Sequence, residues 1–319
     1  MKIVFMGTPD FAVPALEAIH GKHQVLAVYS QPDKPSGRGL DLKPTPVKAK
    51  ALELGVPVFQ PEKLNTAEEL ARLQQLNPDL IVVVAYGKIL RKSFLDLPRL
   101  GCINIHSSLL PRWRGAAPIQ WAILGGDAES GVSIMHLVEE LDAGDVLMQA
   151  KTPIRLEDTA GTLHDRLAKM GAELILPTLE GLEKGTLKGQ PQDKTKVTYA
   201  EKLTKEMETL SPQASAQVLF RRVQALNPWP GTSIWIKPEK EGSSPQRLKV
   251  KRAIAHPEIQ VPPSLVGKIY EKVGMILFGT IEGALELQLV QWDGKKEVDA
   301  SSFLNGLKGR GMDLPLKAV

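Results

Sequence analysis

Short apolar runs alternate with amphipathic stretches through the first two-thirds of the chain. KIVFM at 2–6 and QVLAVYS at 24–30 have the β-branched character of strands, and DLIVVVAYG at 79–87 is apolar enough to be covered on both faces. Residues 9–20, 66–76, 116–124 and 159–184 carry apolar positions at helical spacing, while CINIH at 102–106 and GVSIMHLV at 131–138 continue the strand series. This βαβα order predicts an α/β fold of Rossmann-like kind, a doubly wound, mostly parallel sheet with helices on both faces. From Thr186 to Ser211 the pattern lapses into polar residues with Gly and Pro. We therefore expect a first domain over 1–188, a linker over 189–206 and a second domain over 207–319. The second opens with a helix over 213–226. SIWIK, RLKVKRAIAH, LVGKIYEKV, MILFGT and ALELQLVQW then follow as short strands parted by turns, the pattern of a small OB-like β-barrel.

At 319 residues and 43% hydrophobic composition the chain can bury two cores. KIVFMGTPDF holds Gly7 but lacks the later glycines of G-x-G-x-x-G, and no acidic residue closes the second strand, so a nicotinamide-dependent dehydrogenase is disfavoured. The same stretch is interrupted too early for a secretion signal, and no apolar run reaches the roughly eighteen residues of a membrane span. A cytoplasmic monomer without membrane association is expected. A single cysteine leaves no disulfide framework and no Cys-based zinc site, and no metal is expected. The net charge of +4 is unevenly placed: residues 201–319 hold 17 Lys and Arg against 13 Asp and Glu, and the remainder 23 against 23. The excess lies wholly in the last third, which suits a polyanionic partner, although a solvated surface gives the same count.

Candidate chemistry begins in CINIHSSLLPRWRG at 102–115. Residues two apart on a strand share a face, so Asn104 and His106 stand side by side about 6.6 Å apart along it. An amide and an imidazole so placed can converge on one oxygen. Cys102 shares the face but lies about 13 Å from His106, and it reads as a small buried residue. SSLLP comes next and could present backbone groups to a planar polar ring. LVEELDAGDVL then crowds Glu139, Glu140, Asp142 and Asp145 into a turn after another expected strand, again at a carboxyl end, where sheets of this class bind ligands. Asp142, flanked by Leu141 and Ala143, is the carboxylate expected to be partly desolvated and suited to accept a proton. Asn, His and Asp without a nucleophilic Ser or Cys suit direct transfer, in which a substrate amine attacks a carbonyl. Asn104 and a protonated His106 would hold the oxyanion, and Asp142 would orient the imidazole and take the amine's proton.

At these residues GCINIHSSLLPRWRGAAPIQWAI followed by ELDAGDVL resembles the folate-dependent formyltransferases. Their shared site is an Asn, a His two residues on and an Asp in a later loop, which correspond here to Asn104, His106 and Asp142. The resemblance implies 10-formyltetrahydrofolate as formyl donor and co-substrate, its ring against Ser108, Leu109, Leu110 and Pro111 and near Tyr86. MGTPDFAVPAL, QPDKPSGRGLDLKPTPVK at 31–48, VVVAYGKIL, TYAEKLTKE at 198–206 and NPWPGT at 227–232 extend the likeness over nearly the whole chain. They point to the branch that formylates initiator methionyl-tRNA.

In that branch the loop at 31–48 enters the acceptor stem of the tRNA. The resemblance thus implies tRNA contacts at Lys34, Arg38 and Lys43, and a second domain that binds tRNA. Physically, a guanidinium between two glycines, as at Arg38, reaches phosphates or base edges with little hindrance. Branches that formylate sugar-nucleotide amines can carry a similar second domain, and that activity is the alternative. A small substrate, however, gives no reason for a basic loop rich in Pro and Gly. The chain departs from the family at Leu40-Asp41, where a basic pair is frequent, and at Met207–Leu210, where Ile-Asp-Trp is frequent.

Overall fold

Ile3, Val4, Phe5 and Met6 are fully buried, and every residue of Leu80–Val84 is buried, as two-faced cover of a parallel sheet requires. The computed structural model describes residues 1–36, 41–237, 244–308, 312 and 314–318. Its elements run β1 (Lys2–Gly7), α1 (Val13–His20), β2 (Gln24–Tyr29), β3 (Lys34–Ser36), β4 (Asp41–Lys43), α2 (Pro46–Glu53), β5 (Val58–Phe59), α3 (Ala67–Leu76) and β6 (Leu80–Val84). There follow α4 (Lys92–Leu95), β7 (Cys102–His106), β8 (Arg114–Gly115), α5 (Pro118–Gly125), β9 (Glu129–His136), β10 (Val146–Pro153), α6 (Ala160–Glu183) and β11 (Tyr199–Ala200). Two units are distinguished: Met1–Pro118, Glu129–Pro153 and Leu163–Glu201 form the first, and Ile119–Ala128, Ile154–Thr162 and Lys202–Val319 the second.

The sheet of the first unit has the order β10-β9-β7-β6-β1-β2-β5. From β7 to β5 every pair is parallel, whereas β9 runs antiparallel to β7 and β10 antiparallel to β9. The sheet is thus the expected mostly parallel one, with an antiparallel edge. Several elements escaped the sequence pattern for local reasons. The segment 31–48, expected to be a loop, contains the hairpin β3–β4 and the start of α2. Thr45 Oγ1 accepts the Lys48 amide and Pro46 follows at the first helical position, a strong start signal for a helix whose apolar face is only Val47 and Ala51. The edge strand β10 buries few residues and so shows little apolar alternation. Residues 189–201, expected as linker, belong to the first unit: β11 pairs in parallel with β8, and Gln190 bridges Val146.

In the second unit α7 (Ala216–Ala225) packs on strands β12 (Thr232–Ile236), β13 (Gln246–His256), β14 (Lys268–Lys272), β15 (Met275–Gly279), β16 (Ala284–Trp292), β17 (Val298–Asp299) and β18 (Leu316–Lys317), with α8 (Ala300–Lys308) between the last two. The order is β12-β13-β16-β15-β14-β18. An antiparallel bridge from Ile236 to Ala318 joins the two ends of that order, so the strands close into the expected small barrel. Its interior is filled by residues such as Leu219, Ile234, Leu248, Phe278, Leu285 and Phe303. No helix among the described residues is long and apolar enough to cross a membrane.

Candidate active site

Asn104 and His106 lie on β7 as alternation requires. The neighbouring strand residues Ile103 and Ile105 are buried, His106 is also buried, and Asn104 is the half-open position of the strand. Among the described residues no hydrogen bond takes the Asn104 side-chain amide. His106 Nε2 is 2.9 Å from the carbonyl of Trp113. A carbonyl only accepts, so Nε2 carries a proton and donates it to that carbonyl. Nδ1 faces Asp142 Oδ2 at 3.8 Å. That distance is too long for a hydrogen bond. The imidazole is therefore oriented by the Trp113 carbonyl and not, as expected, by Asp142; the carboxylate supplies charge at close range and accepts instead from the Gly115 amide at 2.8 Å.

Asp142 reaches this position by an unexpected route. Because β9 is antiparallel to β7, His136 lies opposite Ile103, and the Leu137 amide donates to the Cys102 carbonyl. The acidic turn at 137–145 leaves its strand beside the amino end of β7, so the expectation that it starts at the sheet's carboxyl edge is corrected. It folds back along β7 to bring Asp142 to His106. The backbone of Asp142 is left-handed at φ +49° and that of Trp113 at φ +64°. Such conformations cost free energy for residues with a Cβ and persist where surroundings over-determine them. Here the surroundings include Gly115, at φ +120°, where a Cβ would come within 2.6 Å of the Ala200 carbonyl.

The second arginine of PRWRG, Arg114, is only 4% exposed. Its Nη1 donates to Glu140 Oε1 at 3.2 Å, and its Nε and Nη2 donate to Gln192 Oε1 at 3.1 and 2.9 Å. The Thr198 hydroxyl and carbonyl accept the amides of Trp113 and Arg114. Arg114, Gln192 and Thr198 went unassigned in the sequence because the 189–200 stretch has the composition of a linker. The unexplained second arginine beside a site was the one signal available. The first, Arg112, stacks its guanidinium 4.3 Å from the centre of the Trp113 ring.

The expected folate-contacting residues are differently disposed. Ser108 donates its hydroxyl to the Arg112 carbonyl, and its own carbonyl accepts from Ser133 Oγ. The Leu110 amide and carbonyl are taken by Ser133 Oγ and Gln149 Nε2, and the Leu109 carbonyl by the Arg112 amide. The backbone of Ser108 to Leu110 is thus largely satisfied within the protein, as buried polar groups must be, and Pro111 closes the same loop. Tyr86 is 1% exposed in the core beneath the sheet, and burial pushes its phenol well above the ordinary range. Only its carbonyl is directed at the surrounding loops, accepting from Thr8 Oγ1 and Gln31 Nε2. The Tyr86 side chain thus packs in the core, and any part of this residue near a ligand is its backbone. Cys102 is buried, and desolvation pushes its thiol up to about 12, so it stays protonated and inert.

Of the residues expected to meet tRNA, Lys34 and Lys43 are exposed and lie directly opposite each other in the β3–β4 hairpin. Arg38 lies outside the described residues. The base of the hairpin is fixed by an ion pair from Lys48 to Asp33, by Gln60 Nε2 donating to Asp33 Oδ1 and the Gln31 carbonyl, and by a bond between the Ser30 and Thr45 hydroxyls.

An open amide and an imidazole with a carboxylate 3.8 Å from its Nδ1 can stabilise an oxyanion and receive a proton, an arrangement that suits a group transferase. Comparison with known proteins agrees with that class. The model of the formyl transferase family matches residues 1–179 and that of the formyl transferase C-terminal domain residues 202–308. The chain belongs to the formyl transferase family. It is 48% identical over 316 residues to the methionyl-tRNA formyltransferase of Hydrogenovibrio crunogenus, covering 98% of each chain. To that of Methylococcus capsulatus it is 48% identical over 307 residues, covering 96% of each. Among solved structures it resembles the N-formyltransferase from Helicobacter canadensis in complex with folinic acid and dTDP-3-aminofucose, at TM-score 0.65 and 19% identity over 90% of this chain and 99% of that one. HypX from Aquifex aeolicus in complex with tetrahydrofolic acid gives TM-score 0.61 and 18% identity over 100% of this chain and 51% of that one. At such identities the likeness concerns the fold.

Proposed function

We propose that the chain transfers the formyl group of 10-formyltetrahydrofolate to the amino group of initiator methionyl-tRNA. The observation that carries the choice of acceptor is the 48% identity to a methionyl-tRNA formyltransferase over 98% of both chains. In this reading the methionyl amine attacks the formyl carbon, and the Asn104 amide and the protonated Nδ1 of His106 hold the oxygen as it gains charge. Asp142, 3.8 Å from that nitrogen, receives the amine's proton directly or through water. Collapse then breaks the bond to the folate nitrogen, which takes the proton back from Asp142 and leaves as tetrahydrofolate.

Two surface features support a polyanionic acceptor. Lys34 and Lys43 face each other across the β3–β4 hairpin, an arrangement that costs stability in the free protein and is relieved when a phosphate lies between them. In the second unit a groove is lined by Lys205, Arg247, Lys249 and Lys251 together with Glu208 and Trp229, which is 69% exposed; Arg247 pairs with Glu208, Lys249 with Asp293 and Lys251 with Glu297, so a phosphate there would compete with those carboxylates. Cations interleaved with an open indole suit phosphate and base together. The test supplies formyl-labelled 10-formyltetrahydrofolate with three acceptors at equal concentration: methionyl initiator tRNA, methionyl elongator tRNA and a dTDP-amino sugar. Label is expected on the initiator tRNA; label chiefly on the sugar amine would replace this reading with the alternative one.

A further inference from the structure

The turn that carries Asp142 has to reach from the level of Cys102 back to His106, four residues or about 13 Å along β7. Its stem is pinned to the sheet by the His136 amide on the Asp145 carbonyl and by reciprocal bonds between Val146 and Gln190. Its tip is held by the side chains of Gln192 and Arg114. Gln192 Nε2 donates to the carbonyls of Asp142 and Gly144, each at 2.8 Å. The other end of the same amide, Oε1, accepts from Arg114 Nε and Nη2, while Arg114 Nη1 returns to Glu140 in the same turn. Both hydrogens and both lone-pair directions of the Gln192 amide are therefore used. They join the segment 189–200, the buried Arg114 and the backbone of Asp142, whose carboxylate faces His106.

We propose that Gln192 is a positioning residue for the transfer reaction: through its paired bonds to the Asp142 and Gly144 carbonyls it holds Asp142 in its left-handed conformation, and so holds the carboxylate on the Gly115 amide beside His106. The inference rests on Asp142 acting in the proposed transfer. Left-handed backbone is unfavourable for Asp unless its neighbours fix it, and two donors on nearby carbonyls of the turn are what fix it here. Arg114 serves the clamp by presenting two donors to Gln192 Oε1, which leaves the amide one orientation only.

Gln192→Glu separates the two halves of the clamp. The carboxylate keeps both bonds from Arg114, now charge-assisted, but confronts the Asp142 and Gly144 carbonyls with an acceptor in place of a donor. Expected is a fall in kcat of about ten- to a hundred-fold, as for a misplaced catalytic group, with KM for folate and for tRNA changed by no more than about twofold. A purely structural role would lower the melting temperature and leave per-molecule kcat near the parent value. Combined with Asp142→Asn, the same change should lower the remaining turnover by less than about twofold, because its route to the reaction is already gone. Gln192→Asn, one methylene too short to span from Arg114 to both carbonyls, should act in the same direction and serves if the Glu variant does not fold. A Gln192→Glu protein with parent kcat beside an inactive Asp142→Ala would overturn the clamp alone. Multiplicative losses in the double variant would overturn it as well, whereas an active Asp142→Ala would remove both the clamp and the role of Asp142.

Discussion

The β7 site and the β3–β4 hairpin put polar residues to use in opposite ways. Around Asn104, His106 and Asp142 the polar groups of the supporting loops are engaged with one another, down to a buried arginine with three bonds. At the hairpin, Lys34 and Lys43 are set against each other in the open. The difference suits the two tasks proposed for them. Stabilising a transient charge needs groups already fixed before the reaction, since reorganising them during it would cost the advantage. Capturing a polyanion needs accessible charge that can displace the ions condensed on it.

The largest effect should come from breaking the fixed set. Asn104→Ala and Asp142→Ala should each lower turnover by about a hundred- to a thousand-fold, while equilibrium titration shows folate binding retained; turnover within a few-fold of the parent would remove these residues from the chemistry. Gly115→Ala attacks the same set through the backbone, since its Cβ would meet the Ala200 carbonyl at 2.6 Å and sit at φ +120°. We expect a loss of about 1–3 kcal/mol in stability, read by urea unfolding, together with reduced turnover in the molecules that remain folded.

Lys34→Glu tests the other side of the contrast. It places opposite charges across the hairpin, which should steady it locally, yet tRNA affinity should fall and the log–log salt slope should shrink by about one for each phosphate the hairpin no longer neutralises. Unchanged tRNA affinity in a salt titration would mean that the hairpin does not meet the nucleic acid. The smallest effects separate interior from surface through two histidines. Burial holds His136, at the start of the acidic turn, below its ordinary value despite Asp145 nearby. The unfolded chain then binds the proton more readily, so the contribution is whole above about pH 6.5 and declines as pH falls toward the folded value. His256, bonded to Glu286 at 2.8 Å and to Glu258 at 2.9 Å, is raised chiefly by Glu286, and its contribution is whole below about pH 6.5 and is lost as pH rises through its folded value. His136→Gln should flatten the acid limb of the stability profile and His256→Gln the neutral-to-alkaline limb; matching profiles for parent and variants would refute the assignment.

Strand alternation alone was enough to place Asn104 and His106 on one face, because period two is a local property of CINIH. The buried runs at 2–6 and 79–87 likewise declared the sheet, and the spaced strands after 230 declared the barrel. Direction was not legible: nothing in GVSIMHLV marks β9 as antiparallel, and so the return path of Asp142 along β7 was invisible. The part played by 189–200 was hidden for a related reason. Gln192, Thr198 and Tyr199 work through partners at 110–144, and a polar stretch satisfied by distant backbone has the same composition as one satisfied by water. In Ser108 to Pro111 the sequence shows backbone groups but not which of them the protein itself takes, as Ser133 and Gln149 do here.

The central claim is that the formyl group passes from donor to amine while Asn104, His106 and Asp142 only hold charge and protons. Single-turnover quenching with formyl-labelled 10-formyltetrahydrofolate tests it most directly. The account predicts unlabelled protein in the absence of acceptor, and label appearing on methionyl initiator tRNA in one kinetic phase once acceptor is added. Label fixed on the protein before the tRNA arrives, and chased from it into formyl-methionine, would contradict it.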